Sequence, residues 1–254
     1  MTKHTWTKEY YEIMEFYYWE PQHIGKIKNP KSSIRDSYKM REKLRKMEVS
    51  LNHQLNLFFL LAPKDFHRRF FQSIFKKELK EDLQMLSGGA ADKIISANLT
   101  QPDMMFVGNA QNFFVELKLD SKSSIDQVLK YTVLHALECE AAGTVKPFYM
   151  LFIGKGGFEN LWKERFKNVT GLKNTIRSYN YKALERKTKV LAAIDFDSIV
   201  ETALRSRIEM INYTKLSKFI DGYSKEINLK SIYSDSIIRL MEGMREELEF
   251  RGLV

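Results

Sequence analysis

One cysteine in 254 residues, Cys139, leaves no internal disulfide to form, and nothing in the chain points to secretion. Apolar runs are short: "LNLFFLLA" at 55–62 falls far below membrane-spanning length, and the N-terminus lacks a signal-peptide pattern. The expectation is a cytoplasmic protein with no membrane partner. Histidines are few and scattered, at positions 4, 23, 53, 67 and 135, and no His/Cys cluster has zinc-motif spacing. No G-x-S-x-G elbow accompanies a triad. "GKGG" at 154–157 has neither the spacing nor the Lys-Ser/Thr ending of a phosphate loop and reads as a turn. Internal repeats and low-complexity linkers are missing as well, so one domain with helical additions is the economical reading. Acids are outnumbered: 41 Lys and Arg against 32 Asp and Glu give a net charge of +9, which favours a polyanionic partner, nucleic acid ahead of an anionic membrane.

What is present in quantity is apolar and aromatic, 44% and 13% of residues, enough for a core and too much for a disordered chain. The most organised stretch is "QPDMMFVGNAQNFFVELKLDSKSSIDQVLKY" at 101–131. Two segments rich in Phe, Val, Met and Leu, 103–107 and 113–119, flank the turn-like "GNAQN", which is a hairpin signal. In the second strand a period of two sets Glu116 and Lys118 on one face and Phe113, Val115, Leu117 and Leu119 on the other. One face is expected to pack and the other to carry charge. A four-residue loop at 108–111 pairs Val107 with Asn112 and Met105 with Phe114, and so sets Asp103 opposite Glu116, with Cβ atoms about 5 Å apart. Two carboxylates that close repel unless a cation lies between them, and oxygen ligands with few protein donors suit Mg²⁺. The competing reading makes Glu116 and Lys118 the solvated face of an amphipathic strand.

Around the hairpin the chain reads mostly as helix. Residues 6–19, "WTKEYYEIMEFYYW", are aromatic and helical; packing is their expected role, with base stacking by Tyr10, Tyr11, Tyr17, Tyr18 or Trp19 as the other. Residues 24–33 read as a basic loop. A long helix is expected over 33–62, its first half basic at Arg35, Lys39, Arg41, Lys43, Arg45 and Lys46. After Pro63 a second helix is expected over 65–86, capped by Asp65, with Glu78 and Asp82 falling inside its apolar stripe unless the helix turns them to water. Strands are expected near 92–98 and at "FYMLFIG" after Pro147, with a further strand at 190–196 and helices at 124–141, 197–222 and 230–250. In the 124–141 helix, Ile125, Val128, Leu129, Thr132, Val133 and Ala136 form the core side, leaving Gln127, Lys130, Tyr131 and Leu134 away from it. Gln127 and Tyr131 share a face, while a capping box with Ser124 is an equal claim on Gln127. A basic run at Lys173, Arg177, Lys182, Arg186, Lys187 and Lys189, interleaved with Tyr179 and Tyr181, suits either a nucleic-acid groove or a solvated surface.

Pro102-Asp103, a short hairpin, Glu116-Leu117-Lys118, then Gln127 and Tyr131 on the next helix, resemble the PD-(D/E)XK nuclease superfamily in its branch with a Q-x-x-x-Y element. The resemblance covers roughly residues 65–155. It implies an α/β restriction-endonuclease-like fold: an αβββαβ core at 63–196 with a mixed sheet flanked by helices, a helical extension at 1–62 packed on it, and helical additions at 197–254. It also implies Mg²⁺-dependent hydrolysis of DNA, with Mn²⁺ as a substitute ion. Asp103 and Glu116 would bind the metal, the Leu117 carbonyl would be a further ligand, and Lys118, Gln127 and Tyr131 would complete the site. The helix before the first strand often adds an acid in this superfamily, and Glu78 holds that position here, with Asp82 or Glu81 as substitutes. Lys130, Lys173, Arg177, Lys182 and Arg186 are the expected phosphate contacts. The reading from another class is a nucleic-acid-binding or assembly protein that keeps the fold and does not cut. Nothing in the chain fixes an oligomeric state.

Overall fold

The computed structural model describes residues 5–11, 48–86, 102–179, 195–227 and 234–254. They form two compact units, one of residues 64–212 and one of residues 1–63 with 213–254. The boundary after the sheet unit therefore falls at Asn212, and the N-terminal extension shares its unit with the C-terminal helices.

The sheet unit runs α2 (Lys64–Phe75), β1 (Gln84–Leu86), β2 (Met104–Val107), β3 (Asn112–Lys118), α3 (Ile125–Ala141), β4 (Phe148–Gly154), α4 (Phe158–Leu161), α5 (Val169–Ser178), α6 (Phe196–Arg205) and β5 (Arg207–Asn212). Its five strands lie in the order β1-β2-β3-β4-β5, making an α/β architecture with a mixed sheet flanked by helices. In this sheet β2 is antiparallel to both of its neighbours, β1 and β3, whereas β3, β4 and β5 are mutually parallel. A parallel return requires a crossover, which α3 supplies between β3 and β4. The hairpin has the expected register: Val107 pairs with Asn112 and Met105 with Phe114. Glu81 holds its loop by accepting the Ala110 N–H at 3.0 Å and the Gln111 side-chain amide at 3.1 Å. Gly108 leaves room for that side chain, since a Cβ at this position would lie 2.5 Å from the Glu81 carboxylate and displace it.

Both faces of the sheet are covered. On one, Phe71 and Phe75 of α2 meet Phe113 and Tyr149, with the Phe71–Phe113 ring centres 4.4 Å apart. On the other, Met105, Phe114, Phe148, Met150, Phe152 and Ile208 form a core with α3, Trp162, α5 and α6. All seven residues of β4 are buried, which accounts for its unbroken apolar sequence.

Three expectations need correction. The helix expected over 65–86 stops at Phe75, because Lys76 takes a left-handed conformation at φ 50° and the chain continues extended into β1. That backbone costs a lysine about 1 kcal/mol or more, and Lys77 helps hold the new course by donating to Gln111 at 2.9 Å and to the Tyr149 hydroxyl at 2.7 Å. Leu79 and Leu83 bury as predicted, but as extended chain. The helix expected over 197–222 is interrupted by β5, which takes a place beside β4. Of the strand expected at 190–196, the described residues Asp195 and Phe196 begin α6 instead, with Asp195 as its cap. The strand expected near 92–98, the loop at 24–33 and the basic half of the 33–62 helix lie outside the described residues.

In the other unit, α1 (Glu48–Leu61), α7 (Tyr213–Glu226) and α8 (Ser234–Phe250) join residues 5–11. Trp6 donates its indole N–H to the Leu240 carbonyl at 3.0 Å, and Tyr11 is fully buried against Glu247. For these two aromatics the packing role holds; Tyr17, Tyr18 and Trp19 lie outside the described residues. No helix among the described residues is long and apolar enough to cross a membrane.

Candidate active site at the carboxyl end of β3

Strand alternation aims Phe114, Glu116 and Lys118 at α3, so the charged face is enclosed by a helix instead of facing solvent. Glu116 is 4% exposed. A buried carboxylate requires partners, and three side chains supply them. Gln127 donates to Oε1, the Tyr131 hydroxyl donates to Oε2, and the Lys118 ammonium is ion-paired with Oε1. Gln127 also donates to the Tyr131 oxygen at 2.9 Å, closing a ring of bonds between β3 and the first two turns of α3.

Asp103 joins this group from the residue before β2. Its Oδ2 accepts the Leu117 N–H at 2.7 Å, which anchors it to the backbone between Glu116 and Lys118. Its charge reaches Tyr131, whose pKa is held well above the usual phenol value, first by burial, then by Glu116 and also by Asp103. The phenol therefore stays protonated and remains a donor to Glu116. Two carboxylates stand against one ammonium here, a donor set that fits a hard divalent cation.

The helix expectations resolve as follows. Ser124 caps α3 without a side-chain bond, and the Gln127 amide is engaged on Glu116, so the capping box does not form. Tyr131 and Leu134 are buried although they were expected away from the core, because α3 lies against the sheet over a wider arc than its most apolar stripe.

A cleft of about 380 Å³ opens at the carboxyl ends of the parallel strands, lined by Lys118, Asp120, Ser121, Lys155 and Asn160 among others. Crevices at that end of parallel strands are the usual ligand sites of α/β sheets. Lys118 stands on its wall, whereas Asp103 and Glu116 are not among the lining residues. No family model, curated protein or solved structure matches the chain.

The remaining candidates lie elsewhere. Glu78, with a side chain 73% exposed, has its ion pair with Lys80 at 3.7 Å, since the end of α2 at Phe75 leaves it on extended chain. Asp82 pairs with Lys64 at 3.2 Å, and Glu81 serves the hairpin loop. Lys173 is committed internally: its ammonium donates to the Leu204 and Ser206 carbonyls at 2.7 and 2.8 Å. Burial, and then the neighbouring Arg177 charge, hold its pKa below the usual lysine value. Arg177 is on the surface, donating to Asn174 at 2.9 Å, and Lys130 is half-buried on α3. Lys182 and Arg186 lie outside the described residues. One polar group escaped the sequence reading: His135, Glu138 and Cys139 on α3, beside Asn112. Its signal was the i, i+3, i+4 spacing, which puts three side chains on one helix face.

Proposed function

We propose that the chain is a metal-dependent nuclease that hydrolyses DNA phosphodiester bonds, with Asp103, Glu116 and Lys118 as its centre and Gln127 and Tyr131 positioning Glu116. The observation that carries this reading is that Lys118, Gln127 and Tyr131 converge on the Glu116 carboxylate while Asp103 is held on the Leu117 N–H beside it, with Lys118 on the wall of an open cleft. Asp103 and Glu116 would hold Mg²⁺, or Mn²⁺ in its place, with the Leu117 carbonyl as a further oxygen. When bound, the ion supplies charge stabilisation at the phosphoryl oxygen and a water of lowered pKa.

The protein groups have separable tasks. Lys118, on the cleft wall, meets the scissile phosphate with its ammonium and orients the attacking water. Gln127 and Tyr131 fix both oxygens of Glu116, so the carboxylate needs no reorganisation when substrate arrives. Water adds its oxygen to phosphorus, the bond to the leaving sugar oxygen breaks, and that oxygen takes up a proton.

The test compares Mg²⁺-dependent nicking and DNA affinity on the same preparations of wild type, Asp103→Asn and Lys118→Ala. Loss of a positioned charge or metal ligand costs on the order of 100-fold or more in rate, so cleavage should collapse in both variants while binding survives. Equal cleavage by all three would sink the reading. A non-cleaving binder is the second reading, favoured by the burial of Glu116 with both oxygens already bonded. It expects DNA binding with no Mg²⁺-dependent cleavage by the wild type.

A further inference from the structure

At the opposite end of α3 from Gln127, the helix presents His135, Glu138 and Cys139 on one face, each offering a ligand atom, and those atoms lie within 4.8 Å of one another. Three features set this group apart from an ordinary polar patch.

The first is the imidazole. His135 Nε2 lies 3.0 Å from the Lys146 carbonyl, which can only accept, so Nε2 carries the hydrogen and Nδ1 presents its lone pair. Metal-binding histidines are oriented in this way, with one ring nitrogen donating to a backbone carbonyl and the other turned to the ion. The ring is further fixed by stacking on Phe148, with centres 4.4 Å apart and planes 4° from parallel. The second is the carboxylate. Glu138 Oε1 takes the Lys146 ammonium at 3.0 Å, which leaves Oε2 directed at Asn112.

The third is Asn112 itself, fully buried at the first position of β3. Its amide nitrogen donates to His135 Nδ1 at 3.1 Å and to Glu138 Oε2, while its Oδ1 is buried with no hydrogen-bond partner. An orphaned buried acceptor is costly, because it has given up water and gained no donor. Turning the amide over would move Oδ1 between His135 Nδ1 and Glu138 Oε2, where three acceptors would face one another. A bound cation would make that arrangement favourable, with all three atoms as its ligands.

We propose that His135, Glu138 and Cys139, with the Asn112 side-chain oxygen as fourth donor, bind one thiophilic divalent ion of the Zn²⁺ class, at a site separate from Asp103 and Glu116. A thiolate, an imidazole and two oxygens at tetrahedral count select Zn²⁺ over Mg²⁺ or Ca²⁺. Binding replaces the Cys139 S–H by an S–metal bond and releases that proton to solvent. The Lys146 ammonium opposes an ion here and is held by Glu138 Oε1. The bound ion would tie the C-terminal part of α3 to the start of β3, whose other end carries Glu116.

The experiment titrates Co²⁺, as a spectroscopic substitute for Zn²⁺, into the chelator-stripped full chain in thiol-free buffer. Because Cys139 is the only cysteine, a near-ultraviolet thiolate-to-cobalt band can come from no other residue. The band should saturate at one equivalent, disappear when Zn²⁺ is added, and persist unchanged in Asp103→Asn. Glu138→Gln, which keeps size and shape, should weaken Co²⁺ binding tenfold or more. A wild-type chain without the band at excess Co²⁺ would overturn the site, and so would unchanged affinity in Glu138→Gln.

Discussion

Glu116 shows how one residue's surroundings set its chemistry. Inside the sheet-helix layer its charge is offset by one ammonium and two uncharged donors, and Tyr131 supplies the more deeply buried of these. Tyr131→Phe keeps the ring against Phe114, 6.1 Å away between centres, and removes only the hydroxyl. The carboxylate then loses a buried donor, and the variant should be less stable by about 1–3 kcal/mol at neutral pH. The pH dependence has a definite sign. A phenol whose folded pKa is raised contributes stability that is fully present below its unfolded value near 10 and is lost as pH climbs beyond it. The stability gap between wild type and Tyr131→Phe, read from urea unfolding, should therefore narrow above about pH 10. A gap that is constant with pH would mean that Tyr131 does not hold its proton for Glu116.

At the scale of elements, Lys173 and Arg177 sit one turn apart on α5 and do different work. Lys173 caps the carbonyls at the C-terminal end of α6, where a cation is favoured, whereas Arg177 faces outward. Lys173→Met should cost about 1–2 kcal/mol of stability and leave the salt dependence of the proposed DNA binding unchanged. Arg177→Ala should leave stability unchanged and lower that salt slope by about one unit if Arg177 meets a phosphate. The reverse pattern would exchange the two roles. This distinction was not legible in the sequence, where both residues belong to one basic run; which way a lysine turns depends on α6, from another part of the chain. The hairpin was legible because its register follows from local alternation and loop length, and the pairing of Asp103 with the strand carrying Glu116 followed from it. The end of α2 was hidden because Leu79 and Leu83 keep helical spacing while the break comes from Lys76 and from Lys77 reaching Tyr149. "RIEMIN" at β5 has nothing in it to break a helix; parallel pairing with β4 decides its state. His135 and Cys139 could have been grouped by spacing, but Asn112 joins them only through the fold.

On the scale of the whole molecule, the chain builds two cores, and its first and last segments share one of them. Within that unit lies a buried ion pair: Arg251 donates to Glu247 at 2.6 Å, with side chains 3% and 2% exposed, and Arg251 also reaches Tyr11 and Ser50. The cluster therefore joins residues 5–11, α1 and α8, which are up to 240 positions apart in sequence. Replacing the arginine by methionine keeps much of its volume but strands the buried Glu247 carboxylate beside the Tyr11 phenol. Removing one partner of a buried pair costs about 3–5 kcal/mol, which is a large share of what holds a helical unit of this size. Since the sheet unit has its own core in β3, β4 and α3, the loss should stay local. Hydrogen exchange resolved by peptide should show Arg251→Met losing protection over 48–61 and 234–250, with 112–118 and 148–154 exchanging as in the wild type. Equal loss of protection in the central strands would mean that the two cores unfold as one cooperative body, and that a change at the chain's end is felt at Glu116.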